Sequence, residues 1–169
     1  MSAAKSTLTA ERLREVLRYD PETGLWQWRT TIAKRARAGS PAGTLKRSGY
    51  VRINIFGVAY PSHRLAWLYV YGTWPSQTID HINGNRADNR ICNLRDVPMR
   101  INIQNKRKPV CTNRTGFLGI RRDPTSIARW SAKIVVDGKA VFLGQFPSPE
   151  DAHQAYLKAK RILHEGCTI

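Results

Sequence analysis

Acidic side chains are scarce in this 169-residue chain: 12 Asp and Glu stand against 28 Lys and Arg, a formal charge of +16 and a pI near 10.5. A surface that basic points to a polyanionic partner, nucleic acid first. Cysteine is scarce too. Cys92, Cys111 and Cys167 are odd in number, widely spaced and in no C-x-x-C pair. That excludes a disulfide framework and a zinc ribbon, and it suits a reducing cytoplasm. No run approaches the ~18 to 20 apolar residues of a membrane span, and the first thirteen residues, MSAAKSTLTAERL, lack the apolar stretch of a signal peptide. Low complexity is missing as well. A hydrophobic share of 41%, with nine Pro and twelve Gly, reads as one or two folded domains with a proper core.

The position of the few carboxylates is more informative than their number. Between Glu22 and Asp123 there are 18 Lys and Arg but only Asp80, Asp88 and Asp96, which all fall within seventeen residues. A surface made for phosphates repels carboxylates, so each one kept there needs a reason. One reason is a local salt bridge or turn cap, which suits Asp88 and Asp96. The other is a bound cation that turns a carboxylate into a phosphate-binding element, and Asp80 is the candidate.

Residue patterns set out the elements. Thr9 caps a short helix with Leu13, Val16 and Leu17 on one face, and Leu25 to Arg29 is strand-like. Residues 33–48 read as a basic, flexible loop. Tyr50 to Phe56 alternates as a half-buried strand, Gly57 turns it into a second at Val58 to Tyr60, and Ser62 caps an apolar helix from His63 to Tyr71. Thr78 to Ile82 and Asn93 to Val97 are short strands around a turn at Asn83-Gly84-Asn85. Pro98 opens a helix to about Arg107. Strand, loop, strand and helix make a ββα unit over residues 78–107. After a basic, proline-interrupted stretch over 106–112, whose end at 109–112 is the linker, Phe117 to Arg122, Ala128 to Val136 and Lys139 to Leu143 read as strands. Ser148-Pro149 starts a helix with Ala152, Ala155, Tyr156, Ala159 and Leu163 on one face and Gly166 as its stop. The fold class expected is α+β: a domain over 1–108, then a three-stranded antiparallel sheet packed on one helix over 113–169.

From Ser62 onward, S-H-R-L-A-W-L-Y … I-D-H-I-N-G-N-R-A-D-N-R-I-C-N-L-R-D-V-P-M-R-I-N-I-Q-N-K resembles the phage-type HNH endonucleases, including the homing endonucleases. Asp80-His81, Asn93-Leu94-Arg95 and Asn102-x-x-Asn105 lie in that family's order and spacing. Asp80-His81 alone would read as a strand-end turn; the whole run makes it a site. Residues 113–169, with T-G-F-L-G-I-R-R, R-W-S-A-K-I, V-F-L-G-Q-F and E-D-A-H-Q-A-Y, resemble the plant ethylene-response-factor (Apetala-type) DNA-binding domain.

Phosphodiester hydrolysis needs a base for water and a Lewis acid for the charge developing on phosphate. Histidine suits the first near neutral pH; a carboxylate with an amide oxygen suits a hard divalent cation that keeps several waters. The resemblance assigns His81 as general base, Asp80 and Asn102 as metal ligands and Asn93 as the residue bracing the loop between strands. Many relatives carry histidine where this chain has Asn102, so Mg²⁺ is the first expectation and Mn²⁺ or another transition metal the alternative. Neighbours in a strand point to opposite faces, so Asp80 and His81 share a site only where the strand twists or ends. Asn105, one helical turn beyond Asn102, reads as a phosphate contact or as support behind the metal ligands, and His63 as a structural or phosphate contact. His153 and His164 read as ordinary surface residues, and most tryptophans as core.

In the C-terminal segment Arg129, Ser131 and Lys133 alternate with Trp130, Ala132 and Ile134, giving one polar and one apolar sheet face. Arg121, Arg129, Lys133 and Phe142, which stands where the plant domain has tryptophan, are the DNA-binding residues expected there. Asp123 and Lys133 reverse charges of the plant domain, so sequence preference does not transfer. The implied function is a metal-dependent endonuclease acting on double-stranded DNA, with a cytoplasmic location in a bacterial host and no membrane partner. The rivals are a non-catalytic DNA-binding regulator and, on charge alone, an RNA-binding accessory protein.

Overall fold

A computed structural model of the chain describes residues 8–109, 113–123 and 130–169. Its contacts divide the chain into two compact units, Met1–Val97 and Pro98–Ile169. No helix among the described residues is long and apolar enough to cross a membrane.

The first unit begins with α1 (Ala10–Val16), capped by Thr9, whose side chain accepts from the Arg12 N–H. Leu17 does not extend the helix as its spacing suggests. It starts β1 (Leu17–Tyr19), which pairs antiparallel with β2 (Trp26–Trp28). Alternation then buries Leu17, Tyr19, Trp26 and Trp28 on one face of the hairpin. Gly24 sits at the turn with φ +71°. A Cβ there would lie 2.5 Å from the Arg90 backbone nitrogen, so glycine lets the later loop approach.

Residues 33–48 are less free than their composition suggests. Their backbone bonds to β2, with Trp28 N–H donating to Ser40 and Ala42 N–H to Trp26, and Thr44–Leu45 forms a short strand, β3. β3, β4 (Val51–Ile55) and β5 (Val58–Pro61) make an antiparallel sheet in that order. α2 (Ser62–Tyr71) follows and ends at Gly72 in the left-handed conformation. Ser62 does not cap it. The serine is the first helical residue, fully buried, and its hydroxyl accepts from the Trp26 indole N–H at 2.9 Å. Leu65, Ala66 and Leu68 bury one face of α2 in a core with Leu13, Val16, Ile53 and Ile55.

β6 (Thr78–His81) pairs antiparallel with β7 (Leu94–Val97), with Asp80 opposite Arg95 and His81 opposite Leu94. A 3₁₀ turn at Ile91–Asn93 leads into β7. In chain order α3 (Met99–Gln104) completes the ββα sequence, shorter than the expected run to Arg107.

The second unit holds α3, β8 (Ile120–Arg122), β9 (Trp130–Val136), β10 (Lys139–Phe146) and α4 (Pro149–Leu163). The sheet is antiparallel with β9 central, and α4 packs Ala152 and Tyr156 against Ile120, Ala132 and Ile134. The expected linker at 109–112 lies beyond the observed division, and residues 110–112 are outside the described ones. α3 groups with the C-terminal elements because it is tied to them. Arg100 pairs with Glu165 at 3.1 Å, and Gln104 accepts from the Gly166 N–H at 2.9 Å.

Several expectations for α4 change. Leu163 is 41% exposed, while Lys160 is buried at 1% with its ammonium donating to the Lys106 carbonyl. Burial pushes the Lys160 pKa down. The helix ends at His164, before Gly166. Gly166 is glycine because a Cβ there would stand 2.2 Å from the Ile101 carbonyl oxygen. His153 and His164 are half-buried ties, facing the carbonyls of Leu118 at 3.1 Å and Val135 at 2.8 Å.

Candidate active site

β6 ends at His81, and the loop after it is built from asparagines. The Asn93 side chain spans it: its Oδ1 accepts from the Asn83 N–H at 2.9 Å and its amide donates to the Asp88 carbonyl at 2.8 Å. The Ile82 N–H donates to the Asn93 carbonyl at 2.9 Å, and Gly84 N–H to His81 at 2.8 Å. Asn93 is 6% exposed.

His81 is buried at 4%. Its Nε2 lies 3.5 Å from the Asn89 Oδ1, and its ring meets those of His63, edge-on at 5.1 Å, and Tyr50 at 5.9 Å. Burial is the largest influence on its pKa and lowers it, against smaller opposite effects from Asn89, Asp80 and Asp88. Burial therefore favours the neutral ring, the form in which a histidine accepts a proton. Asn89 is itself buried, and its carbonyl accepts from the Tyr19 hydroxyl at 2.7 Å, which joins the loop to the β1–β2 hairpin.

Asp80, 5% exposed, points to a different set of partners. Arg95, opposite it in the sheet, sends Nε at 2.9 Å and Nη2 at 2.8 Å to its Oδ2. Arg95 thus meets the carboxylate, while Asn89 and the rings of Tyr50 and His63 meet the imidazole. The other two carboxylates have local work. Asp88 takes Arg90 at 2.6 Å and Asn83 at 2.7 Å, and hydrogen bonding from Arg90 holds its pKa down at about 2. Asp96 accepts from the Ser76 N–H and hydroxyl and from the Gln77 N–H.

A cation of the Mg²⁺ type takes one or two carboxylates and fills its other positions with water and substrate phosphate. Asp80 is a buried carboxylate whose Oδ2 is held by Arg95. Among the described residues no three His, Cys, Asp or Glu side chains cluster.

Asn102 and Asn105 lie on or just after α3, in the second unit. Asn102 is half-buried. Asn105 does not face outward as a phosphate contact would: it is 4% exposed, and the Thr168 hydroxyl donates to its Oδ1. On the sheet of the second unit, Arg121, Lys133 and Phe142 line one open depression of about 520 Å³ with Arg122, Asp123, Ser131 and Gln145. Phe142 is 56% exposed and opposite Lys133, whose ammonium lies 5.9 Å from its ring centre. Arg129 lies outside the described residues.

Sequence reasoning did not single out Asn89, Arg95 or Tyr50. Arg95 carries a signal, since it sits in the Asn93-Leu94-Arg95 run. Tyr50 and Asn89 reach His81 only through the fold.

A family model described as HNH endonuclease matches residues 60–104. A solved structure described as "DNA binding and cleavage by the HNH homing endonuclease I-HmuI" is similar over 89% of this chain and 88% of that chain, at 21% identity and a TM-score of 0.42. No curated protein matches the chain. The matched segment spans β5 to α3 and carries Asp80, His81, Asn93 and Asn102. An HNH endonuclease segment at residues 60–104 supports a nuclease.

Proposed function

We propose that the chain is a metal-dependent endonuclease that hydrolyses phosphodiester bonds of double-stranded DNA, with His81 as general base. The observation that carries this is a buried imidazole at the end of β6, facing Asn89 and backed by the rings of Tyr50 and His63. A histidine so placed can take a proton from water without first losing one of its own.

Asn93 acts one step away, by holding the loop between His81 and Asn89 in shape. Asp80 is the carboxylate ligand of the cation, and Arg95 fixes the direction in which that carboxylate points. When bound, the cation stabilises charge on the phosphate and the leaving oxygen. Mg²⁺ fits the oxygen donors best, with Mn²⁺ or another transition metal as the alternative. The ligand role of Asn102 rests on its place in the motif. Product ends with 5′-phosphate and 3′-hydroxyl are the outcome that the resemblance to HNH enzymes implies.

The C-terminal sheet is the second DNA contact. Lys133 and Val135 of β9 are exposed while Ala132 and Ile134 are buried under α4, so the alternation leaves one sheet face open. Arg121, Lys133 and Phe142 stand on it with polar neighbours that suit base edges and phosphates.

The test is incubation with supercoiled plasmid in Mg²⁺ or in chelator, scored for nicked and linear product. Nicking should need the metal and should fall by ~10² or more in His81→Ala with DNA affinity unchanged. Near-wild-type nicking by His81→Ala removes His81 from its role. Tight DNA binding with no cleavage under any divalent metal leaves the regulator reading instead.

A further inference from the structure

A cavity of about 360 Å³ opens beside the catalytic histidine, lined by Lys46, Ser48, Tyr50, Arg52, Pro61 and His63. The sheet explains why these residues meet. Lys46 follows β3, Arg52 lies on β4, and Pro61 is the β5 residue opposite Arg52. His63 is in the first turn of α2. The Lys46 N–H donates to the Tyr50 carbonyl at 2.9 Å, which closes the turn that carries Ser48.

The lining has one electrical character. It contains two cations, two hydroxyls and an imidazole, and no carboxylate. Lys46 and Arg52 are both exposed, and among the described residues neither side chain has an ion-pair or hydrogen-bond partner. A third cation stands at the rim. Arg86 donates to the Ser48 carbonyl at 3.0 Å and lies 4.9 Å over the Tyr50 ring. The His63 Nδ1 is buried without a hydrogen-bond partner among the described residues, a state that costs free energy unless a ligand or water meets it. Two of the lining rings, Tyr50 and His63, are the ones that touch His81.

We infer that this cavity seats a backbone phosphate of the DNA strand, one that flanks the bond to be cleaved. The inference rests on the endonuclease reading and names a contact that reading leaves out. A phosphodiester carries one negative charge and two free oxygens, which a guanidinium, an ammonium and hydroxyls can share in charge-assisted hydrogen bonds. Successive phosphates follow the strand at ~3.4 Å of rise. A phosphate here is therefore a near neighbour of the one that His81 serves, with only the Tyr50 and His63 rings between. Such contacts carry no base information but fix the register of the strand, and register decides whether the scissile phosphate meets the base in line.

The experiment uses the full chain and a synthetic duplex that spans a nick site first mapped on plasmid. Uncharged methylphosphonates replace the flanking phosphates one position at a time. Wild type should show one flanking position where the neutral linkage slows nicking by about tenfold or more, the worth of a single charged hydrogen bond. The double variant Lys46→Ala/Arg52→Gln should nick the ordinary duplex more slowly and be indifferent to the methylphosphonate at that position. Lys34→Ala/Arg35→Ala removes two charges from an exposed loop elsewhere and should keep the wild-type sensitivity. A double variant that keeps the full sensitivity overturns the inference, as does a wild type with no sensitive flanking position. Failure of the wild type to nick in any divalent metal is a different result, and it refutes the endonuclease reading itself.

Discussion

Asn93→Ala should separate the loop that carries the active-site geometry from the strands that flank it. Truncation removes both side-chain hydrogen bonds, to the Asn83 N–H and the Asp88 carbonyl, and leaves the backbone bond from Ile82 in place. Two neutral hydrogen bonds contribute about 1 kcal/mol each. Their partners sit in partly buried surroundings, so leaving them unmet adds a similar amount, for a total of roughly 2 to 4 kcal/mol. In a chain of this size each kcal/mol moves Tm by about 2 to 4 °C, so Tm should fall by roughly 5 to 15 °C. Activity should fall further than stability alone requires. His81 lies just before the loop, and Asn89 within it faces the imidazole, so a loosened loop misaligns the base and lowers kcat by at least about tenfold. Binding to duplex DNA should change little. Asn93→Asp keeps the acceptor for Asn83 but loses the donor to Asp88, and should fall between the two. Thermal unfolding followed by tryptophan fluorescence and plasmid nicking under saturating DNA are the assays. A Tm for Asn93→Ala within about 1 °C of wild type, with normal kcat, would refute the bracing role.

Three further outcomes rest on named residues. Asn102→Ala should nearly abolish cleavage, while Asn102→His should keep activity but shift the metal optimum from Mg²⁺ towards a transition metal; equal metal titrations for all three proteins would remove Asn102 from the ligand set. Burial, helped by His81 and Arg64, holds the His63 pKa down at about 3 against 6.5 in an unfolded chain. Its contribution to stability is thus complete above about pH 6.5 and lost as pH falls towards 3, by up to about 1.4 kcal/mol per pH unit. Urea midpoints between pH 7 and pH 4.5 should drop more steeply for wild type than for His63→Gln; parallel slopes would show that His63 is not the group titrating. Gly166→Ala places a Cβ against the Ile101 carbonyl and should destabilise the second unit by about 1 to 3 kcal/mol, read by urea unfolding; an unchanged midpoint would mean that the backbone there does not approach as described.

The chain sequence alone determined the elements whose cause is local. Thr9 capping α1, the alternation of β4, the stop at Gly72 and the Ser148-Pro149 start of α4 are set by residues within a turn or two of one another. It also singled out Asp80, His81 and Asn93, because a motif fixes residue types at fixed spacing. Local pattern failed where a distant partner won. Ser62 has the chemistry of a cap, but its hydroxyl accepts from the Trp26 indole N–H, and Lys160 sits on the buried face of α4 because the Lys106 carbonyl meets its ammonium. Gly166 reads as a helix stop and is instead a close approach to α3.

The surroundings of His81 were beyond any local reading. Tyr50, His63 and Asn89 come from a strand turn, a helix start and a loop, and only the packing of those elements brings them to one imidazole. The tertiary structure also lowers the pKa of that imidazole, since burial is not a property of a residue's neighbours in sequence.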